Sequence, residues 1–134
     1  MAPLRHRISV VNDNPEFLEL MADILDGDGG YQVTTFEDPT TSVDDLAASV
    51  PELVIVDLLL GGASGWEIVA LSRADERLSG LPIIVCSADV AALRDRADDF
   101  ERIGDIHVLP KPFGIDELMQ LVERLLERPP GASG

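Results

Sequence analysis

Short apolar runs alternate along this chain with longer stretches whose apolar positions recur every three to four residues. Ile8-Ser9-Val10-Val11 reads as a strand, and Pro15 to Leu25 places Phe17, Leu18, Met21, Ile24 and Leu25 on one face of a helix. Asn14 suits the N-cap of that helix and Pro15 its first turn. The Gly- and Asp-rich stretch 26–30 ends it, and Tyr31 to Phe36 alternates as a second strand. Thr40 to Ser49 is a weaker, more polar helix. Leu53-Val54-Ile55-Val56 is continuously apolar, the pattern of a central parallel strand covered on both faces. A loop from Leu58 to Ser64 leads into a helix through Trp66, Ile68, Val69 and Leu71. Pro82 to Cys86 is another apolar strand, Asp89 to Ile103 a helix, Ile106 to Leu109 the last strand, and Ile115 to Leu126 a long amphipathic helix. Residues 6–127 thus read as one domain, and 128–134, rich in Pro and Gly, as a flexible tail or linker.

Five strands separated by helices imply right-handed crossovers and an α/β fold, a parallel sheet with helices on both faces. Ligands of such sheets bind beyond the carboxyl ends of the strands. Those ends carry Asn12 and Asp13 after the first strand, Asp57 after the third, Ser87 after the fourth and Lys111 after the fifth. Singly, Asn12, Asp13 and Ser87 read more readily as turn or cap residues than as ligands. Together, two carboxylates, a hydroxyl and an ammonium on one edge suit a hard cation and a phosphoryl group.

Composition sharpens this. Lys111 is the only lysine, against nine arginines, and it stands between Pro110 and Pro112, which are expected to stop strand pairing there. Taken alone, it reads equally well as a solvated turn residue. The 134 residues carry a formal charge of 10 − 25 = −15, which opposes nucleic acid and anionic membranes as partners and favours proteins or cations. Cys86, the one cysteine, cannot form an internal disulfide, and no apolar stretch resembles a signal peptide or membrane span, so a reducing cytoplasm is the expected compartment.

The residue types define a chemistry. Asp13 and Asp57 supply hard oxygen ligands for Mg²⁺, which takes one or two carboxylates together with water and phosphate oxygens. A carboxylate can also attack phosphorus to form an acyl phosphate, and Asp57 is the better candidate because it ends the most buried strand, before a loop of small residues. Lys111 and the Ser87 hydroxyl would then steady the phosphoryl oxygens.

In this arrangement the chain resembles the receiver domains of bacterial two-component response regulators. The motifs that carry the resemblance are Val10-Val11-Asn12-Asp13-Asn14-Pro15-Glu16, Pro51 to Leu58 with Asp57, Cys86-Ser87-Ala88, and Lys111-Pro112-Phe113. The resemblance implies a (βα)5 flavodoxin-like, doubly wound parallel sheet in strand order 2-1-3-4-5. It implies a signalling domain rather than an enzyme, with Asp57 as phosphoacceptor, Lys111 as its cationic contact and Ser87 as the switch hydroxyl. Asp13, Asp57 and the backbone carbonyl of Leu59 would hold Mg²⁺ or Mn²⁺, with Asn12 reaching it through water. The implied phosphodonor is a sensor histidine kinase or histidine phosphotransfer protein. The implied output surface is the fourth helix, fifth strand and fifth helix, facing a downstream protein partner or a second copy in a homodimer.

Three positions depart from the family pattern. Asn12 replaces the first of two adjacent acids, so weaker metal binding is expected. Val108 stands where the family often carries a switching aromatic, and His107 beside it reads as an ordinary strand residue. Gly61 replaces a common proline, which predicts a more mobile loop. Asn12 and Val108 keep open an alternative, a receiver-like module that binds its partner irrespective of phosphorylation. An aspartyl phosphatase is disfavoured, because the acid expected two residues after the nucleophile is Leu59. Cys86 and Trp66 read as structural. Whether the chain stands alone or is cut from a longer regulator is open at this point.

Overall fold

The structure, a computed structural model, describes residues 6–126 apart from 29, 38–42, 58, 61–62, 96 and 112. Five parallel strands form the central sheet: β1 (Arg7–Val11), β2 (Gln32–Phe36), β3 (Leu53–Asp57), β4 (Ile83–Ser87) and β5 (Ile106–Pro110). Their spatial order is β2-β1-β3-β4-β5. The doubly wound fold expected from the sequence is the one observed. Register is continuous across the sheet, with Val10 opposite both Thr35 and Ile55, Asp57 opposite Cys86, and Ser87 opposite Pro110.

The period-2 alternation of the central strands divides the core in two. Leu53, Ile55, Ile84 and Cys86 face α1 (Pro15–Ala22) and the last helix, meeting Leu18, Met21, Leu118, Val122 and Leu125. Val54, Val56, Ile83 and Val85 face the other way, onto Leu46, Ile68, Val69, Leu93 and Phe100. These come from α2 (Val43–Ala48), α3 (Gly65–Ala74), α4 (Val90–Asp95) and α5 (Ala97–Ile103). The last helix, α6 (Ile115–Leu126), follows the expected bounds. Each fully buried Leu or Val on it removes enough apolar surface from water to contribute about 1.5–3 kcal/mol.

Several boundaries differ from the sequence expectation. The first helix gives way after Ala22 to a wider π-helical turn, Asp23–Asp28, which brings Ile24 and Leu25 into the core side by side. Gly30, at φ +70, then reverses the chain, while the Tyr31 N–H closes back onto the Leu25 carbonyl at 3.0 Å. The predicted helix 89–103 is described as two segments on either side of residue 96, and residues 40–42 of the predicted second helix lie outside the described residues. Leu59–Leu60 and Ala63–Ser64 pair as a short antiparallel ladder within the predicted loop. Gly61, like the tail 128–134, falls outside the described residues.

The expectation that Pro110 stops strand pairing is corrected. Pro110 is the last residue of β5, and the next N–H, that of Lys111, donates to the Ser87 carbonyl at 2.9 Å. An edge strand tolerates proline wherever the missing N–H would face away from the neighbouring strand. Arg73 also helps hold β5 in place. Its guanidinium donates to the carbonyls of Gly104 and Asp105, at 3.2 and 3.0 Å, tying the end of α3 to the turn that feeds β5.

Candidate functional site

Parallel strand register brings the sequence-predicted polar residues to one edge. Asp57 closes β3, Ser87 closes β4, Asn12 follows β1 directly, and Lys111 follows β5. Asp57 is only 8% exposed, because the strands on both sides of β3 flank it. A buried carboxylate needs partners, and two converge on its Oδ2: the Lys111 ammonium at 2.7 Å and the Asn12 side-chain amide at 3.2 Å. The ion pair is largely withdrawn from water, with 24% of the Lys111 side chain and 11% of that of Asp57 exposed. Removing one partner of such a pair is therefore far costlier than removing half of a surface salt bridge. Lys111 is thus not the solvated turn residue it could have been.

Asn12 is buried and uses both ends of its amide. Its Oδ1 accepts from the Asn14 N–H at 2.9 Å, which turns the chain toward α1 and leaves Nδ2 to donate to Asp57. Asn14 in turn caps α1, accepting from the N–H groups of Glu16 and Phe17. Asp13, between them, is exposed at the mouth of the site.

Ser87 is buried, and its Oγ accepts from the Asp89 N–H at 3.1 Å. As an acceptor in that bond, the hydroxyl keeps its own proton for another oxygen. Its backbone carbonyl holds Lys111, so the start of the loop after β4 and the root of the lysine are joined through one residue. Val108 is partly exposed on β5, and His107 pairs with Asp105 at 2.9 Å.

Sequence reading placed Phe17 only on the helical core face. In the structure the Lys111 Nζ lies 4.2 Å from the centroid of the Phe17 ring, and that ring meets Phe113 edge to face at 6.4 Å. Cys86, opposite Asp57 in register, is buried, and burial pushes its thiol up to about 12. Trp66 packs against Phe100, as a structural residue would.

Among the described residues no group of three His, Cys, Asp or Glu side chains could hold a metal ion. Asp13 and Asp57 present carboxylates at this edge, beside the chain that continues to Leu59. That set fits Mg²⁺, which retains several waters and needs only one or two protein carboxylates, better than it fits a metal requiring a full protein cage.

The chain belongs to the response regulator receiver domain family, which it matches over residues 8–123. Members are signalling domains of two-component systems rather than conventional enzymes. The DNA-binding response regulator MtrA of Mycolicibacterium smegmatis is 31% identical over 96% of this chain and 54% of its own length. Among solved structures, the receiver domain of a sensor histidine kinase from Pseudomonas aeruginosa, with magnesium coordinated in its active-site cleft, is 26% identical with a TM-score of 0.78, covering 93% of this chain and all of that one. The chemotaxis protein CheY4 of Vibrio cholerae, 20% identical with a TM-score of 0.80 over 91% of this chain and 99% of that one, shares the fold.

The chain spans about half the length of the curated MtrA relatives it matches. Since those relatives are DNA-binding regulators, the expectation of no nucleic-acid partner is not supported. Net charge opposes contact with DNA by these 134 residues and says nothing of a longer protein. No helix among the described residues is long and apolar enough to cross a membrane.

Proposed function

We propose that Asp57 accepts a phosphoryl group from a phosphohistidine on a sensor histidine kinase or histidine phosphotransfer protein, and that the acyl phosphate switches a protein-interaction face. The observation that carries this reading is the buried Asp57 carboxylate, held from one side by the only lysine and from the other by Asn12. A carboxylate oxygen attacks phosphorus, the P–N bond to the histidine breaks, and its electron pair stays with the imidazole, which takes up a proton. Lys111 neutralises the carboxylate beforehand and is within reach of a phosphoryl oxygen afterwards. The Ser87 hydroxyl, whose proton is uncommitted by its bond to Asp89, donates to a second oxygen.

Asp13, Asp57 and the Leu59 carbonyl are the residues that would hold Mg²⁺ or Mn²⁺, with Asn12 acting through water. The ion, when bound, spreads the charge that develops on the transferring group. Two departures from the family pattern bear on the site. Asn12 removes one negative charge from the metal's surroundings, and Val108 stands where the family often carries an aromatic that follows the switch hydroxyl.

Readout rests on linkage through Ser87. Drawing its hydroxyl toward phosphate pulls it from the Asp89 N–H and so biases the segment leading to α4, which packs beside the edge strand β5. This face, the fourth helix, fifth strand and fifth helix of the family pattern, is where a downstream partner or second copy would bind. Coupling of this kind is about 1–3 kcal/mol. The receiver spans residues 6–127, with 128–134 as a tail or linker, and works in the cytoplasm beside its kinase.

Incubation with Mg²⁺ and a small phosphodonor, followed by intact-mass measurement, tests the reading. Wild type should gain one phosphoryl group and Asp57→Asn none. If wild type gains none, the phosphorylation-independent binding module takes its place.

A further inference from the structure

We infer that Phe17 is a positioning residue for Lys111, its ring face carrying the ammonium that meets Asp57. The ammonium lies 4.2 Å from the Phe17 centroid and 2.7 Å from Asp57 Oδ2, so one cation is held between a π face and a carboxylate. Attraction to the negative face of an aromatic ring acts within about 6 Å and strengthens where water is excluded. The Lys111 side chain is 24% exposed, and the surface on this side of it is apolar. Phe17, Met21, Ile24, Phe113 and Ile115 line an apolar cleft of about 440 Å³ into which Lys111 projects.

The ring is itself held in orientation. Phe113 meets it edge to face with an interplanar angle of 87°, and the Phe17 N–H is within the reach of the Asn14 cap at 3.4 Å. A flexible four-carbon stem is thereby given a fixed seat. A leucine of similar reach would fill much of the same space but offers no negative face. A carboxylate or carbonyl in its place would instead compete for the three N–H donors of the ammonium, which the ring leaves for Asp57 and an incoming oxyanion. The effect of Phe17 on phosphoryl transfer rests on the function proposed above, whereas its effect on the lysine does not.

Because Lys111 is the only lysine, its Cε–Hε resonance is assigned without ambiguity by lysine-selective labelling. In wild type these protons should be shifted upfield by the Phe17 ring current. Phe17→Tyr should keep the shift, and Phe17→Leu should return it to the position of a solvated lysine while the backbone amide spectrum retains the fold, with Phe17→Met as the replacement if the leucine variant does not fold. The rate of phosphorylation by a small phosphodonor with Mg²⁺ should fall about three- to five-fold in Phe17→Leu and recover in Phe17→Tyr. A wild-type Hε signal at the solvated position, one unmoved by Phe17→Leu, or a Phe17→Leu rate equal to wild type would overturn the inference. A ring-current shift that behaves as expected in a protein that accepts no phosphoryl group would leave Lys111 seated on Phe17 and instead remove the phosphoacceptor reading.

Discussion

Asn12 donates its side-chain amide to the same Asp57 oxygen that Lys111 engages, at 3.2 Å, where the family pattern puts a second carboxylate. A carboxylate at position 12 could not donate that bond and would repel Asp57. Such repulsion is relieved by a bound cation, whereas the amide leaves Asp57 satisfied without one.

Asn12→Asp should therefore act in opposite directions with and without metal. In chelator, the melting temperature should fall by a few degrees, since about 1 kcal/mol corresponds to roughly 2–8 °C for domains of 60–250 residues. With millimolar Mg²⁺ that loss should be recovered, and titration calorimetry should show tighter Mg²⁺ binding than in wild type. Equal Mg²⁺ affinity in the two proteins would show that position 12 does not face the ion.

Lys111→Arg keeps the charge but replaces a compact point with a planar fork too wide for the seat between Asp57 and Phe17. Phosphorylation by a small donor should be slowed relative to wild type, and Lys111→Met should slow it further, by about 10²-fold. Urea denaturation separates this from folding. Lys111→Met should also be less stable by about 1–3 kcal/mol, because it leaves a buried carboxylate short of a partner.

These expectations concern residues that were visible in the sequence to different degrees. Asp57, Ser87 and Lys111 could be placed because each follows an apolar run, and a parallel sheet aligns strand ends. Leu53 to Val56 was legible as a central strand because both its faces are buried. Asn12 was visible as a departure, but not as a donor to Asp57, since that bond depends on how Asn14 orients the amide. Phe17 was hidden for another reason. Its spacing marks it as a core residue, and no local pattern reports that the ring also meets a lysine from the far end of the chain. Pro110 misled because proline is excluded from a ladder only on the side where its N–H is needed.

Val50 illustrates strain that composition does not reveal. This β-branched residue sits in the left-handed region at φ 49 after α2, with 58% of its surface exposed, and its N–H donates to the Ala47 carbonyl. Glycine adopts that geometry freely, although it also loosens the unfolded chain. Val50→Gly should raise stability by about 1 kcal/mol, seen as a higher urea midpoint with an unchanged slope. A lower midpoint would mean that the side chain contributes more than its backbone costs.

Cys86 should leave its mark at alkaline pH. Burial pushes its thiol up to about 12, with the nearby Lys111 charge opposing that rise and Asp57 adding to it, whereas an unfolded cysteine ionises near 8.5. Between those values the unfolded chain loses a proton that the folded chain retains. Unfolding thus becomes easier as pH rises, by up to about 1.4 kcal/mol per pH unit from this group. The contribution of Cys86 to stability is fully present below pH 8 and fades toward pH 12. Urea midpoints measured from pH 8 to pH 10.5 should fall more steeply in wild type than in Cys86→Ala, which has no thiol to ionise. The same burial should keep Cys86 unreactive toward iodoacetamide at pH 8 until the chain unfolds. Identical alkaline slopes in the two proteins, or rapid alkylation of the folded protein, would show that the thiol opposite Asp57 is open to solvent.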